Sequence, residues 1–501
     1  MFMLVRETFA NVTRTDEHWW KRAHALTLTS DRFDAPTTID RLTTIVGRSA
    51  VIENPADLGA YVSEPRGQYH GRALCMVEPE TPEKVAAFLA FCHTHKIGVV
   101  PQGGNTGLVG GQTPDASAHQ IILSLRRLRA IREIDPSSDA LTVEAGVTLR
   151  ETQEAAASVN RYFPLSLASE GSCTIGGNIA TNAGGVHVLA YGMMRDLVLG
   201  LEVALADGRL LSTLGKLRKD NTGYDLTRLF IGSEGTLGVI TAATLKLYPR
   251  PCGHAVAFVG MNDPSQALSL LAFIKERAGP ALQAFELIPR LGIDFVTQHI
   301  PGARDPLAAP HRWYALVELA GFADRDVDTL AAHIFEEALA QGYVADATLA
   351  HSLDQAAALW KLRESLSEAQ KREGGSIKHD ISIAVNQIPD FIKTAAQRLG
   401  EAFPAARPVP FGHMGDGNLH YNISQPKGGD KQAFLAQRAE INAIVHGLVQ
   451  EFGGSISAEH GIGVLKRDLL KQVKDPVALD LMRAIKATLD PNGILNPGKL
   501  L

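Results

Sequence analysis

Glycine is not spread evenly through this chain. It gathers in three stretches between residues 101 and 240, and that gathering limits the available folds more than any other feature. The first stretch is Pro101-Gln102-Gly103-Gly104-Asn105-Thr106-Gly107-Leu108-Val109-Gly110-Gly111, which follows the apolar pair Val99-Val100 and holds five glycines in nine residues. Such a loop can adopt positive φ and approach a ligand closely, so that successive N–H groups converge on an anion such as a pyrophosphate. Taken alone, a flexible surface loop would read the same way. The second stretch, Ala168 to Gly185, includes Ser169, Gly171, Thr174, Gly176, Gly177, Asn178, Thr181, Asn182 and Gly184. Its small and hydroxyl residues let backbone lie against a flat ring or a diphosphate. The third, Ile231-Gly232-Ser233-Glu234-Gly235-Thr236-Leu237-Gly238-Val239-Ile240, runs into a strand. Neither G-x-G-x-x-G nor G-x-x-x-x-G-K-[ST] occurs, which disfavours a nicotinamide Rossmann site and a P-loop. Three separated backbone cradles suit a long, extended nucleotide.

The remaining composition bounds the rest. At 501 residues the chain exceeds what one hydrophobic core usually serves, so at least two domains are expected. With 45% apolar and 21% charged residues it is not a disordered chain, and no run of 18 apolar residues is available to span a bilayer. A net charge of −5 gives no pull toward nucleic acid or anionic lipid. The four cysteines, Cys75, Cys92, Cys173 and Cys252, form no C-x-x-C pair, so an iron–sulfur cluster and a zinc ribbon are disfavoured. They fit a reducing compartment. The first residues show no basic segment followed by an apolar one, and Asp16, Glu17, Asp31 and Asp34 are too acidic for a transit peptide. A cytoplasmic location is the resulting expectation.

Residues 1–40 read as a leader or short helix. Beyond them, strands are expected at 73–78, 99–100, 121–125, 141–144 and 239–248, with helices at 83–96 and 149–159. Thr81-Pro82 caps and opens the first of these helices, and Gly98 ends it. Residues 197–212 read as a hairpin turning on Asp207-Gly208. Pro249, Pro251 and Gly253 punctuate a boundary. After it come strands at 255–260, 284–288, 313–320 and 381–385, and helices at 264–278, 325–341, 352–372 and 431–452. This pattern is that of an antiparallel α+β layer of ferredoxin type.

The second informative region is Pro410-Phe411-Gly412-His413-Met414-Gly415-Asp416-Gly417-Asn418-Leu419-His420-Tyr421-Asn422. Gly415 to Asn418 forbid a helix and demand a turn, which can fold His413 and His420 back toward one point. Ser457-Ala458-Glu459-His460-Gly461-Ile462-Gly463 adds a carboxylate and a third imidazole. Two histidines and one carboxylate with open positions would make a catalytic metal site rather than a structural one. Ordinary histidines capping turns are the plainer alternative for any one of them.

The three glycine segments, in this order and spacing, resemble the FAD-binding domain of the vanillyl-alcohol oxidase/PCMH flavoprotein superfamily over residues 66–250. The C-terminal half is similar to the FAD-linked oxidase family that includes D-lactate dehydrogenases, D-2-hydroxyglutarate dehydrogenases and the glycolate oxidase flavin subunit. Its tail, Asp490-Pro491-Asn492-Gly493-Ile494-Leu495-Asn496-Pro497-Gly498-Lys499, carries part of that likeness. The resemblance implies an α+β fold with a PCMH-type FAD-binding domain of two α+β subdomains at 41–250. A ferredoxin-like substrate (cap) domain follows at 251–453, and a short segment at 454–501 returns to the flavin. The first loop would hold the pyrophosphate, and the others, with Gly238, Ile240 and Asn496, would bracket ribityl and isoalloxazine. The first loop contains no His, so the FAD is expected to be non-covalent.

By motif, His413, His420 and Glu459 correspond to the family's divalent metal ligands, zinc first and manganese or iron as alternatives. His460 matches the general base. Arg363, in Trp360-Lys361-Leu362-Arg363-Glu364, matches a substrate-carboxylate arginine, with Ser367, Lys378 and Asn422 as further substrate contacts. The expected activity is oxidation of a D-2-hydroxy acid, D-2-hydroxyglutarate before D-lactate, with hydride passing to flavin N5. A metal-free alcohol oxidase and a flavin subunit that only relays electrons are the competing readings. Reoxidation would need an external acceptor such as an electron-transfer flavoprotein or a quinone, and a homodimer would be ordinary for this size.

Overall fold

A computed structural model describes residues 35–323 and 326–501. Most of the leader expected at 1–40 therefore lies outside the described residues. Its last six residues open the helix Ala35–Val46, which buries Leu42 and Val46.

The N-terminal lobe is built on two sheets. In the first, the strands lie in the order Val51–Ile52, Cys75–Val77, Ile121–Ser124, Val99–Gln102, and the last three are parallel. Cys75–Val77 and Ile121–Ser124 are buried throughout, which is why they read as unbroken apolar runs. The helix between them, Pro82–His95, starts as expected, with Thr81 accepting from the Lys84 N–H. It ends differently. Lys96, not Gly98, takes the left-handed conformation (φ 54°) and closes on the carbonyls of Cys92 and His93. Gly98 serves close approach instead, since a Cβ there would stand 3.1 Å from Pro497.

The second sheet is antiparallel, in the order Ile131–Asp135, Ala140–Glu144, Val239–Lys246, Val198–Ala204, Leu210–Ser212. Its last pair is the Asp207-Gly208 hairpin, with Ala204 opposite Leu210. Helix Leu149–Ser158 carries a capping box of Thr148 and Glu151.

The other lobe is one antiparallel sheet. Asp346–Leu349, Gly253–Met261, Trp313–Gly321 and Leu282–Pro289 lie side by side in that order, the 4-1-3-2 arrangement of a ferredoxin-like split βαβ unit. Helices Pro264–Ala278 and Val327–Ala340 cover one face, while Arg290–His299 and Leu353–Glu364 cover the other. The sheet then continues into Arg407–His413, Asn418–Ser424 and Ser376–Ile377, three strands the sequence pattern did not reveal. Helices Arg290–His299 and Ile388–Ala402 were also not foreseen, because neither opens on a capping side chain. The single helices expected at 352–372 and 431–452 are each two, broken at Ser365 and Gln437 without Pro or Gly to mark the break. The strand expected at 381–385 shrinks to Ile381–Ser382.

The chain then returns to the first lobe. Leu495 forms a parallel bridge with Val99, and the Asn496 N–H donates to the Val99 carbonyl.

Candidate active site

The three glycine segments surround one cavity of about 800 Å³, at the large end of the range for small-molecule sites. Of the residues expected to hold a cofactor, only Gly110, Gly171 and Asn182 fall outside its lining. Gly110 sits against the Tyr69 ring, and the Asn182 side-chain Oδ1 accepts from the Arg195 backbone N–H. The first two segments meet backbone to backbone: a Cβ on Gly104 would lie 1.9 Å from the Ser172 carbonyl oxygen. Asn105 holds φ 54°, and its Nδ2 donates to the carbonyls of Ala60 and Ser63, tying the loop to the segment before it. Four buried polar atoms of lining residues, Gln102 Oε1, Asn105 Oδ1, Thr174 Oγ1 and Asn496 Oδ1, have no hydrogen-bond partner among the described residues. Buried polar groups are rarely left so. A backbone-rich cavity with unpartnered polar atoms fits an extended dinucleotide carrying its own acceptors and donors.

Glu459 and His460 line one end of this cavity, and there the imidazoles gather. His413 ends one strand of a hairpin, and His420 lies opposite Phe411 on the returning strand. The turn between them needs Gly417, whose φ is 93° and whose Cβ would meet the Ile383 carbonyl oxygen at 2.4 Å. His413 Nε2 stands 3.4 Å from Glu459 Oε1, and His420 Nε2 stands 3.8 Å from Glu459 Oε2. Their nitrogens and carboxylate oxygen all lie within 4.8 Å of one another. Two imidazoles and one carboxylate at this spacing match the donor set of an open divalent-metal site.

The surroundings reinforce that fit. Glu286, fully buried on the strand Leu282–Pro289, hydrogen-bonds His413 Nδ1 and so leaves Nε2 facing Glu459. A carboxylate behind a ligating histidine is the usual orienting partner. Burial alone would lower His413, yet Glu286 and then Glu459 raise it to about 9. Its extra proton is the one a cation would displace. Burial, then Arg363, holds His420 far below the ordinary histidine range, and burial pushes Glu459 up to about 7.

His460 stacks on His420, with centroids 6.2 Å apart and planes at 25°. Its Nδ1 lies 3.4 Å from Asp380 Oδ2, and the same carboxylate oxygen accepts the backbone N–H of Glu459 and of His460. Although burial would raise Asp380, His460 and Lys466 hold it well below the usual carboxylate range. Burial depresses His460, against the pull of Asp380, so the imidazole rests neutral. Glu234, buried and at φ 53°, accepts the N–H of Ile462 and Gly463 and locks this segment to the third glycine stretch. Glu286, Asp380, Lys466 and Glu234 were all missed in the sequence, where no spacing marks any of them.

The residues expected to touch substrate are less uniform. Arg363 is buried, its Nε donating to Glu286 at 2.5 Å and its guanidinium lying over the Phe411 ring. Lys378 is half-buried, and Ser367 is exposed on the helix Leu366–Arg372. Asn422 is already engaged: its Nδ2 donates to Gln370 and its Oδ1 accepts from the His379 N–H.

A cavity that fits an extended dinucleotide, with a histidine cluster beside it, is the site of a nucleotide-cofactor enzyme. Residues 73–214 match the model of an FAD binding domain, and residues 250–500 match that of FAD linked oxidases, C-terminal domain. The protein is 40% identical over 453 residues to a mitochondrial D-2-hydroxyglutarate dehydrogenase of Rattus norvegicus, covering 90% of this chain and 82% of that one. It is 36% identical over 468 residues to a D-2-hydroxyglutarate dehydrogenase of Stutzerimonas stutzeri (strain A1501), covering 93% and 99%. Among solved structures, an alkyldihydroxyacetonephosphate synthase aligns with a TM-score of 0.73 at 16% identity, over 94% of this chain and 86% of that one. A p-cresol methylhydroxylase with substrate bound aligns at 0.70 and 19%, over 93% and 96%. At those identities the likeness is one of fold. The chain belongs to the FAD-linked oxidase family, and it is an FAD-dependent oxidoreductase.

Proposed function

We propose that this protein oxidises a D-2-hydroxy acid to the 2-oxo acid, with D-2-hydroxyglutarate the favoured substrate and D-lactate the next. The observation that carries the reading is the convergence of His413, His420 and Glu459, with His460 stacked on His420, where Glu459 and His460 line the cavity. The names of the curated relatives support the substrate class. When bound, FAD supplies the hydride acceptor at N5, and a divalent ion, zinc first, supplies a Lewis acid that acidifies the substrate hydroxyl.

The chain's own residues do the rest. His460 accepts the hydroxyl proton at Nε2, because Asp380 beside Nδ1 fixes the tautomer and stabilises the imidazolium that forms. Arg363 grips the 1-carboxylate through its two Nη groups, since its Nε is committed to Glu286. Lys378 serves the far end of a dicarboxylate. The glycine segments hold the cofactor non-covalently and keep water from the reacting carbon. Reoxidation falls to an external acceptor, an electron-transfer flavoprotein or quinone. No described helix is long and apolar enough to cross a membrane, and four free cysteines fit the cytoplasm.

The test is anaerobic bleaching of the bound flavin by a panel of D- and L-2-hydroxy acids, with and without EDTA. Bleaching by D-acids alone, lost on chelation and restored by zinc or manganese, is expected. Bleaching that survives complete metal removal would overturn the metal's role, and bleaching by no hydroxy acid would overturn the reaction.

A further inference from the structure

The proposed oxidation needs the acid and the flavin in register, and different lobes hold them. The glycine stretches belong to the first lobe, while Arg363 and the hairpin bearing His413 and His420 belong to the second. Glu234 ties the segment carrying Glu459 and His460 to the third glycine stretch. The hairpin needs a tie of its own, and the second glycine stretch supplies one as it leaves the cavity.

Gly184 is the last residue of that stretch to line the cavity. The short helix Val188–Tyr191 follows and stays against the cavity wall, because a Cβ on Gly184 would stand 3.1 Å from Val188 Cγ2. Its foot is anchored in the first lobe. A Cβ on Gly185 would meet the Ser166 carbonyl oxygen at 2.0 Å, and the Tyr191 ring packs edge-on against Tyr162 and Tyr248. Leu189 instead packs on the core of the second lobe. A Cβ on Gly415 would lie 2.6 Å from Leu189 Cδ2, so the leucine bears directly on the turn between His413 and His420. The Gly415 N–H donates to the Phe285 carbonyl, next to Glu286, the carboxylate behind His413.

A second contact runs beside the first. His187, with Nδ1 3.1 Å from the Tyr162 hydroxyl, places Nε2 3.7 Å from Glu318 on the second lobe. Glu318 also accepts the Trp360 Nε1–H at 2.9 Å, on the helix that carries Arg363. Residues 187–189 therefore touch both the hairpin turn and the carboxylate that steadies the arginine helix.

We propose that Leu189, with His187 beside it, is a positioning residue that sets the distance between the flavin ring and the acid held by the second lobe. Other residues grip the acid and other residues hold the flavin, so losing Leu189 displaces the two without releasing either. A misplacement of about 1 Å costs about a hundredfold in rate. The role rests on the proposed hydroxy-acid reaction for its meaning, and one of its readouts needs no turnover.

The experiment compares FAD- and zinc-loaded wild type with Leu189→Ala, Leu189→Met, Gly415→Ala and the Leu189→Ala/Gly415→Ala double variant. Flavin and zinc contents should match across the set. Leu189→Ala should slow saturated flavin reduction by D-2-hydroxyglutarate about 10–100-fold, while the half-saturating concentration moves less than about twofold. Leu189→Met, nearly equal in volume, should stay within about threefold of wild type. Gly415→Ala, whose methyl displaces the leucine, should slow reduction about tenfold, and the double variant should outpace either single one because the methyl fills the vacated space. The second readout is the change in flavin absorbance on adding 2-oxoglutarate. It should be weakened in Leu189→Ala at an unchanged dissociation constant, and restored in Leu189→Met. A Leu189→Ala rate within about twofold of wild type would overturn the proposal, as would a loss confined to the half-saturating concentration. Loss of flavin or zinc from Leu189→Ala would also overturn it, and so would an absorbance change absent from wild type or undiminished in Leu189→Ala. If the absorbance responds as expected while D-2-hydroxyglutarate leaves wild-type flavin oxidised, the positioning stands and the proposed reaction falls.

Discussion

The flavin cavity and the histidine cluster meet at Glu459 and His460, yet they are made in opposite ways. The cavity is a matter of backbone: glycines pressed to carbonyls, an asparagine at positive φ, buried hydroxyl and amide oxygens awaiting a partner. The cluster is a matter of side chains, each charged or polar group already answered by another: Glu286 by His413 and Arg363, Asp380 by Lys466 and His460. A backbone cradle tolerates many side chains but no added Cβ. A side-chain network tolerates no lost member. Each half should therefore fail alone, and in its own manner.

The sharpest break is His420→Ala. Removing one of two imidazoles from the donor set should cut flavin reduction by about a thousandfold or more while FAD stays bound. The check is stopped-flow bleaching beside the flavin absorbance of the purified variant. Gly104→Ala is the converse. The added methyl overlaps the Ser172 carbonyl oxygen and should lower FAD content about tenfold. Zinc content, read by atomic absorption, should hold. If either variant loses both groups together, the two halves are one unit and the contrast is wrong.

Glu286→Gln refines the comparison, because this carboxylate touches the histidine cluster and is not among the cavity's lining residues. Zinc affinity, measured by competition with a chelator, should fall roughly 10–100-fold with flavin content unchanged.

The smallest effect belongs to a buried carboxylate that neither lines the cavity nor joins the three clustered donors. Glu318 joins His254 on its own lobe, at 2.8 Å, to His187 on the other. Burial would raise it, but His187, 3.7 Å away, and the hydrogen bond to His254 hold it at about 2. An unfolded glutamate titrates near about 4.3, so this stabilisation is complete above that value and is lost as pH falls toward 2. Thermal midpoints of wild type should therefore drop more steeply than those of Glu318→Gln below about pH 4.5. His254 adds the opposite sign: its pKa is raised chiefly by the hydrogen bond to Glu318, so its share is lost as pH rises through that raised value.

The same contrast explains what was legible. Backbone sites announce themselves, because only glycine permits them and glycines cluster along the chain. Three of the four ferredoxin-like strands were open too, since Gly253–Met261 and Trp313–Gly321 are long apolar runs, but the short, half-buried Asp346–Leu349 was missed. His413 and His420 stood out because Gly415 and Gly417 forced a turn between them. Their supporting charges did not. Glu286 lies inside an apolar strand, 127 residues before His413, and Asp380 lies 80 residues before His460. No local period links them, and only the folded sheet brings them together. The strand Arg407–His413 was hidden for a related reason, since Pro408 and Pro410 interrupt a sequence that still pairs with Asn418–Ser424.

Asn496 joins the Gly111 carbonyl, 385 residues upstream, to the Glu234 carbonyl. On the ribosome, the wall it supplies emerges long after the loops it braces. Cofactor capture must then wait until residue 496 has been made, and a nascent chain that stalls earlier displays its glycine loops without the brace that closes them.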